Sequence, residues 1–276
     1  MPTTASSNKS SMSADLLAKI LAGESLDQAN YSDVDLYAIA LNQANLANIN
    51  FSQSILTNAD LIGANLKGAN LQKADLRGAN LTGANLTGAD LSEAYLSRAD
   101  LRQANLTDAN LEGTKFQVTV YDNETIFPEG FNYKGSGAVG PGANLNGAFL
   151  NTANLRGLDL TGAKMIGAYL SGADMTGAIL DNVSFSGANL QRAIMTGASL
   201  RDARLGNTEL KGVDFRAADL TGANLDNIQN IAGADFTMVK GLSEQARSVI
   251  LGFSAPDLTT WNTYTRCNTK DSLAEL

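Results

Sequence analysis

An apolar residue occupies every fifth position of this chain through two long stretches. The first stretch runs from Leu26 to Phe116, and the second runs from Leu145 to Leu225. Alanine precedes most of these apolar residues by two positions, with Asn or Asp between them in most copies, as in Ala64-Asn65-Leu66, while larger residues such as Ile39 and Leu158 replace it in a few. Five residues turn an α-helix by roughly 140°, so a helix would spread these leucines around every side and bury none of them. The period therefore argues against a helical fold.

An extended chain fits the pattern better, provided that it bends. On a strand, the alanine and the leucine two positions later point to the same face. The next alanine follows after three residues and would point away unless the chain turns a corner within each repeat. Glycines such as Gly63, Gly68 and Gly162 follow the apolar residue by two positions and supply backbone freedom for such corners. We therefore predict an all-β fold, a parallel β-helix (solenoid) with about four short legs and twenty residues in each coil.

The repeat A-[D/N]-L-x-x resembles that of the pentapeptide-repeat family, and the resemblance covers roughly residues 24–236. It implies a right-handed quadrilateral β-helix. It also implies two kinds of partner, since some members of the family imitate a DNA duplex and bind DNA gyrase, whereas cyanobacterial regulatory members bind a signalling or transcriptional protein.

Breaks in the pattern divide the chain into parts, with a short α-helical cap at each end of the solenoid. Ser13 can cap the first helix, which Gly23 ends, and Ser243 can cap a second helix that Gly252 ends. The predicted parts are a disordered N-terminus (1–12), an N-terminal capping helix (13–23), a first repeat block (24–121), an inserted loop (122–142), a second repeat block (143–236), and a C-terminal capping helix with a tail (237–276).

The insertion between the two blocks is a candidate protein-binding element. A long loop on a regular wall either covers the wall or recognises a partner. We expect Phe127 and Phe131 to pack against the wall, and the solvent-facing residues Asn123, Glu124, Glu129 and Tyr133 to make the contacts. The segment Y-D-x-x-T-x-F-P-x-G-F that starts at Tyr121 is similar to insertions in cyanobacterial and plastid members. The candidate residues of this loop are Tyr121, Asn123, Glu124, Phe127, Glu129, Phe131 and Tyr133.

Other candidate contacts are aromatic residues outside the core positions. Those on the walls are expected either to bind a partner or to stack between coils; they are Tyr37, Tyr95, Phe149 and Tyr169. The tail carries Trp261 and Tyr264 in a segment, W-N-x-Y-T-R, that resembles the tails of cyanobacterial members. This tail either folds back as part of the cap or anchors a partner or a second copy of the chain, so a homodimer through the C-terminal cap or tail stays open.

Composition narrows the chemistry. The net charge of −8, from 28 acidic and 20 basic residues, argues against nucleic acid as a direct partner. Without histidine, the chain lacks the usual acid–base catalyst and imidazole metal ligand, so we predict no enzyme activity, no cofactor and no metal site.

The motif G-x-G-x-x-G starting at Gly135 lacks a preceding strand and a following helix, so it does not predict nucleotide binding. A single cysteine, Cys267, and the lack of a visible signal or membrane span lead us to expect a cytoplasmic protein.

Three functions stay open: an interaction scaffold, a DNA mimic that binds gyrase, and a purely structural solenoid. A DNA mimic needs acidic side chains in a long stripe. Sorting outward residues by wall gives acidic patches interrupted by Lys73 and Arg201 instead. Those patches are Asp33, Asp90, Glu93 and Glu112 in the first block, and Asp159, Asp181, Asp202 and Asp219 in the second. We therefore favour a scaffold that binds an unidentified protein.

Overall fold

A computed structural model describes residues 4–274, with side chains from residue 12 onwards. The chain forms two compact units, Met1–Val139 and Gly140–Leu276. In both units, parallel β-bridges join residues twenty positions apart; in the first unit Asn65 pairs with Asn85, and in the second Asn144 pairs with Lys164. Bridges recur every five residues, so each twenty-residue coil has four short legs. The predicted parallel β-helix is therefore present in each unit, while its handedness stays a prediction.

Stacked apolar residues fill the interior of each coil. Leu66, Leu86 and Leu106 are all fully buried and occupy equivalent positions on consecutive coils, because their neighbours Asn65, Asn85 and Asn105 are bridged in series. The backbone joins the coils directly: the Leu66 amide donates to the Asn85 carbonyl at 2.8 Å, and the Leu86 amide donates to the Asn105 carbonyl at 2.7 Å. The small alanines two positions earlier are buried as well, which allows the legs to approach one another.

A left-handed backbone conformation marks the corners. Glycine supplies it at Gly83, where φ is +66°, as the sequence predicts. Other residues also adopt it, for example Gln53 at +61° and Lys73 at +58°. A side chain with a Cβ pays a steric cost in this region, so the inter-coil hydrogen bonds must hold these corners in place.

Helix α1 (Thr4–Leu21) precedes the first coil. Its Leu16 is fully buried, and the Tyr31 hydroxyl of the first coil donates to Asp15 at 2.8 Å, while Lys19 pairs with the same carboxylate at 2.9 Å. The helix starts well before the predicted Ser13. Disorder was therefore the wrong prediction for residues 4–12, and residues 1–3 lie outside the described part. The reason is that no glycine or proline interrupts residues 3–22, so nothing stops the helix from extending.

The inserted loop is shorter than the predicted range 122–142. Ile126 bridges Asn105, one residue more than the usual spacing, and Val139 bridges Val120, so both ends of the range belong to the wall. The extra residue is absorbed by Asp122, whose carboxylate accepts hydrogen bonds from the amides of Glu124 and Thr125. The outward part of the insertion includes a 3₁₀ turn at Tyr133–Gly135.

The second unit ends in a compact tail. Its ladder continues past the predicted end at residue 236, since Lys240 bridges Asp219. Helix α2 (Glu244–Leu251) has the predicted bounds, with the Ser243 side chain accepting from the Ala246 amide. Four short elements follow: α3 (Ala255–Thr259), β1 (Trp261–Asn262), β2 (Cys267–Asn268) and α4 (Thr269–Leu273), with β1 and β2 antiparallel.

Buried polar contacts fasten this tail to the last coil. The Thr269 hydroxyl lies 2.9 Å from the carbonyls of both Ile231 and Ala234, and Thr269 is fully buried. Leu273 is also buried, and the Arg247 guanidinium of α2 donates to its carbonyl at 3.1 Å. The tail therefore folds back over the coil, which is the first of its two predicted alternatives.

Candidate protein-binding surfaces

The aromatic residues of the insertion pack on one another. Phe127 and Phe131 lie against Phe116, with ring centroids 6.5 and 5.4 Å away, as the sequence predicts. Tyr133, however, is not free to face solvent. Its ring stacks on Phe127 at 4.6 Å and meets Tyr121 edge-on at 5.3 Å. Tyr121 is buried, and this burial raises the pKa of its hydroxyl.

Tyr133 therefore needs a correction: we expected a solvent-facing contact residue, and the structure places it in this aromatic cluster. Stacked aromatic rings bury a large apolar area. Packing the Tyr133 ring in the cluster is therefore more favourable than leaving it exposed to solvent. The candidates that remain outside the cluster are Asn123, Glu124 and Glu129, all of which are exposed. Ile126, which the sequence did not single out, is 51% exposed beside them.

The wall aromatics stand out on a polar surface. In the first unit Tyr37 and Tyr95 are 62% and 48% exposed. In the second unit Phe149 is 79% exposed and stacks on Tyr169 of the next coil, with centroids 4.8 Å apart and planes 5° from parallel. Phe149 and Tyr169 thus stack between coils and still present apolar area, so the two predicted alternatives are compatible there.

Arginines pair with many of the wall acids. The pairs are Arg77–Asp75, Arg102–Asp100, Arg156–Asp174, Arg201–Asp219 and Arg216–Asp214. A hydrogen bond from Arg77 lowers the pKa of Asp75. Hydrogen bonds from Thr221 and then from Arg201 lower the pKa of Asp219 to about 2. In each of the five pairs, an arginine lies beside the carboxylate and offsets its charge.

A pocket of about 300 Å³, called the tail pocket below, opens between the tail and a wall of the second unit. The coils contribute Arg192 and Lys211, and the tail contributes Trp261, Asn262 and Tyr264. Sequence reasoning found the two aromatic residues but missed the cations. Their spacing of nineteen residues places them on adjacent coils, yet nothing in the repeat pattern shows where the tail returns to the wall.

The described residues provide neither a metal cluster nor a membrane-spanning helix. Between residues 4 and 274, no group of three or more His, Cys, Asp or Glu side chains could hold a metal ion. No helix in that same span is long and apolar enough to cross a bilayer. In the glycine-rich motif, Gly135 ends a 3₁₀ turn and Val139 joins the wall ladder, so the strand-to-helix context of a dinucleotide site is missing there.

Coils of parallel bridges around stacked apolar residues define a β-helical repeat protein. The chain belongs to the pentapeptide-repeat family, because the family model for pentapeptide repeats matches more than half of its residues. The matches contain 8 copies and cover residues 44–83, 84–117, 141–172, 159–197, 168–207 and 198–229. A comparison with curated proteins gave no match.

Several solved structures of this family are similar to the chain. HetL, involved in the regulation of heterocyst differentiation in the cyanobacterium Nostoc sp. strain PCC 7120, is 28% identical over 82% of this chain and 93% of HetL, with a TM-score of 0.29. The pentapeptide repeat protein alr5209 from Nostoc PCC 7120 is 34% identical over 45% of this chain and 92% of alr5209, with a TM-score of 0.31. QnrB1, a plasmid-mediated fluoroquinolone resistance protein, is 18% identical over 82% of this chain and 100% of QnrB1, with a TM-score of 0.38. Because these TM-scores are low, the family assignment is based on the repeat match.

Proposed function

We propose that this chain is a non-catalytic scaffold that binds a protein partner in the cytoplasm through exposed aromatic residues. One observation carries the proposal: large rings stand exposed on walls that otherwise consist mostly of small polar residues. Tyrosine and tryptophan contribute most to protein–protein interfaces, because they bury much area at little cost in side-chain entropy. We take the coils to be right-handed and quadrilateral, as the family resemblance implies, and to carry helical caps at both ends, as the capping residues predict.

The charge distribution favours a scaffold over a DNA mimic. Asp90 bridges Asn70 on one side and Asn110 on the other, so no carboxylate stacks on it in either direction. Asp75 and Asp100 each hold an arginine. Imitating phosphates requires acids that repeat along the axis without neutralising partners, since the potential of a duplex comes from closely spaced unpaired charges.

Site-specific photo-crosslinking tests the proposal. A photoreactive phenylalanine analogue replaces Tyr37, Phe149 or Trp261, and a matched control replaces Thr87 on a polar stretch of wall. In a cyanobacterial lysate, we expect protein adducts at the aromatic positions in excess of those at the control. Equal labelling at all four positions would remove the support for an aromatic contact surface.

Two further measurements separate the alternatives. A supercoiling assay with purified DNA gyrase should show no inhibition; inhibition at micromolar concentrations of the chain would favour the DNA mimic instead. Adducts between two copies of the chain at Trp261 would identify self-association through the tail, and sedimentation of the unmodified chain would then give the stoichiometry.

A further inference from the structure

We propose that the tail pocket binds an acidic peptide segment of the partner protein. This inference deepens the proposed function, on which it rests, because it names one binding site and the chemistry of what enters it.

Hydrogen bonds between the tail and the coils keep the tail pocket open. The Asn262 side-chain amide donates to the Gly233 carbonyl at 2.8 Å and approaches the Gly212 carbonyl at 3.4 Å. Gly233 itself is buried, and a Cβ added there would meet Thr260 and Asn262 at 3.6–3.7 Å, so the tail runs directly over this coil. Together with the buried Thr269, these contacts fix the tail in place. A preformed pocket saves the entropy that ordering a loop would cost on binding.

Two cations in the tail pocket have no acidic partner among the described residues. Arg192 and Lys211 come from adjacent coils, since the Arg192 amide donates to the Lys211 carbonyl at 2.9 Å. The acid that lines the pocket, Asp214, is buried and already satisfied. It binds the Arg216 guanidinium at 2.7 Å and accepts from the Thr196 hydroxyl at 2.9 Å. The positive charges of Arg192 and Lys211 are therefore not neutralised by the acid that lines the pocket.

This local positive charge stands against a net charge of −8 for the whole chain. An acidic segment would be repelled by most of the protein and attracted to this pocket, which gives it both an orientation and a site. Arginine suits a carboxylate especially well, because its planar guanidinium can donate two parallel hydrogen bonds.

The rim of the tail pocket points to a peptide. Trp261 and Tyr264 are 56% and 68% exposed beside the cations. Tryptophan, tyrosine and arginine are the residues that dominate the energy of protein interfaces. A cavity of about 300 Å³ can hold a few side chains, while the exposed rings can cover the apolar side chains and backbone that stay outside it.

Trp261 is the only tryptophan of the chain, so its fluorescence reports occupation of the tail pocket directly. The probe is a synthetic hexapeptide in which Asp and Glu alternate with Leu, and the control peptide carries Lys in place of every acid. We expect the acidic peptide to change the Trp261 emission saturably, and added salt to weaken its binding because the attraction is electrostatic. The basic peptide should leave the emission unchanged.

Charge variants test the two cations. Arg192→Glu combined with Lys211→Glu should weaken acidic-peptide binding at least about tenfold, because both attractions become repulsions. A second pair, Arg192→Gln with Lys211→Gln, removes the charges without adding acids and should weaken binding to a smaller extent. The matched control, Arg204→Glu, changes the charge at a bridge position on another wall, between Ser184 and Asn224, and should leave the affinity within about twofold.

Four results would overturn the proposal: no change in emission with acidic peptide up to about 1 mM, the weakest affinity of interest; equal binding of both peptides; unchanged affinity in both double variants; or an equal response to inorganic phosphate.

Photo-crosslinking of the glutamate double variant separates this proposal from the scaffold. If the aromatic positions still capture the same partner, the scaffold stands and the tail pocket does not bind it. If the unaltered chain captures nothing while the peptide binds, the scaffold fails by itself.

Discussion

Replacing Leu86 with alanine is expected to destabilise the first unit by about 3–4 kcal/mol. The Leu86 side chain is fully buried, and so are Leu66 and Leu106 on the coils to either side. Losing the transfer energy of the deleted carbons accounts for roughly half of this cost, because burying a leucine contributes about 1.5–3 kcal/mol in total. The rest comes from the cavity that the alanine leaves.

The cavity term should be large here because the surrounding backbone cannot collapse. The Leu66 and Leu86 amides are bonded to the next coils at 2.8 and 2.7 Å, so the neighbouring legs are held at a fixed separation. Leucine-to-alanine changes cost about 2–5 kcal/mol, and a core that cannot relax excludes the lower end of that range.

Urea unfolding of the full chain, followed by far-ultraviolet circular dichroism, measures the effect. The control is Ile62→Ala, which deletes equally many carbon atoms from a side chain that is 38% exposed on the outer wall. We expect it to cost less than about 1 kcal/mol. Equal shifts of the unfolding transition for the two variants would refute the stacked-leucine core.

Three further predictions concern the tail, a wall acid and a corner. Thr269→Val removes a buried hydroxyl that lies 2.9 Å from two carbonyls, so it should destabilise the tail by about 1–2 kcal/mol and speed amide exchange there. The pKa of Asp219 is lowered to about 2, so its charged form stabilises the fold above about pH 4, and this contribution is lost as the pH falls from about 4 towards 2. Arg201→Ala should raise that pKa, which a carboxyl NMR titration would record, although Thr221 keeps it below the usual value. Gly241→Ala places a Cβ 2.6 Å from the Thr221 Cα at a φ of +69°, so it should cost more than about 2 kcal/mol in urea unfolding.

Each of these has its own control or contrary outcome. Gly83→Ala shares the left-handed backbone but has nothing within 4 Å, so about 1 kcal/mol is expected, and an equal cost at Gly241 would contradict the steric argument. An Asp219 titration that Arg201→Ala leaves unchanged would show that the ion pair does not form in solution. Unaltered exchange in Thr269→Val would mean that the tail is held by other contacts.

The five-residue period predicted the fold because the same pattern recurs throughout both repeat blocks. Each leucine and its alanine obey the same geometric rule, so Leu86 and Leu200 could be placed inside without knowledge of their neighbours. The same rule holds where the register shifts near Asn230, since Ile231 and Phe236 occupy the apolar positions there and both are fully buried. Local capping chemistry also sufficed for α2, whose bounds follow from Ser243 and Gly252.

Contacts between segments outside the repeat could not be predicted. Tyr133 follows the rhythm of neither block, so only the folded insertion shows that its ring stacks on Phe127. Arg192 and Lys211 occupy ordinary wall positions, and their role depends on where Asn262 fastens the tail. These arrangements depend on single long-range contacts, for which one sequence contains no redundant signal.

A constant twenty-residue coil also bears on how such a chain can change in length. Within the regular part of either unit, deleting or duplicating one whole coil would return every later side chain to its original wall, because bridged residues there lie twenty positions apart. Gain or loss of five residues would instead rotate all that follows by a quarter turn, and would separate stacked neighbours such as Phe149 and Tyr169. Insertions and deletions of whole coils should therefore be tolerated, whereas those of five residues would move every later surface contact to a different wall.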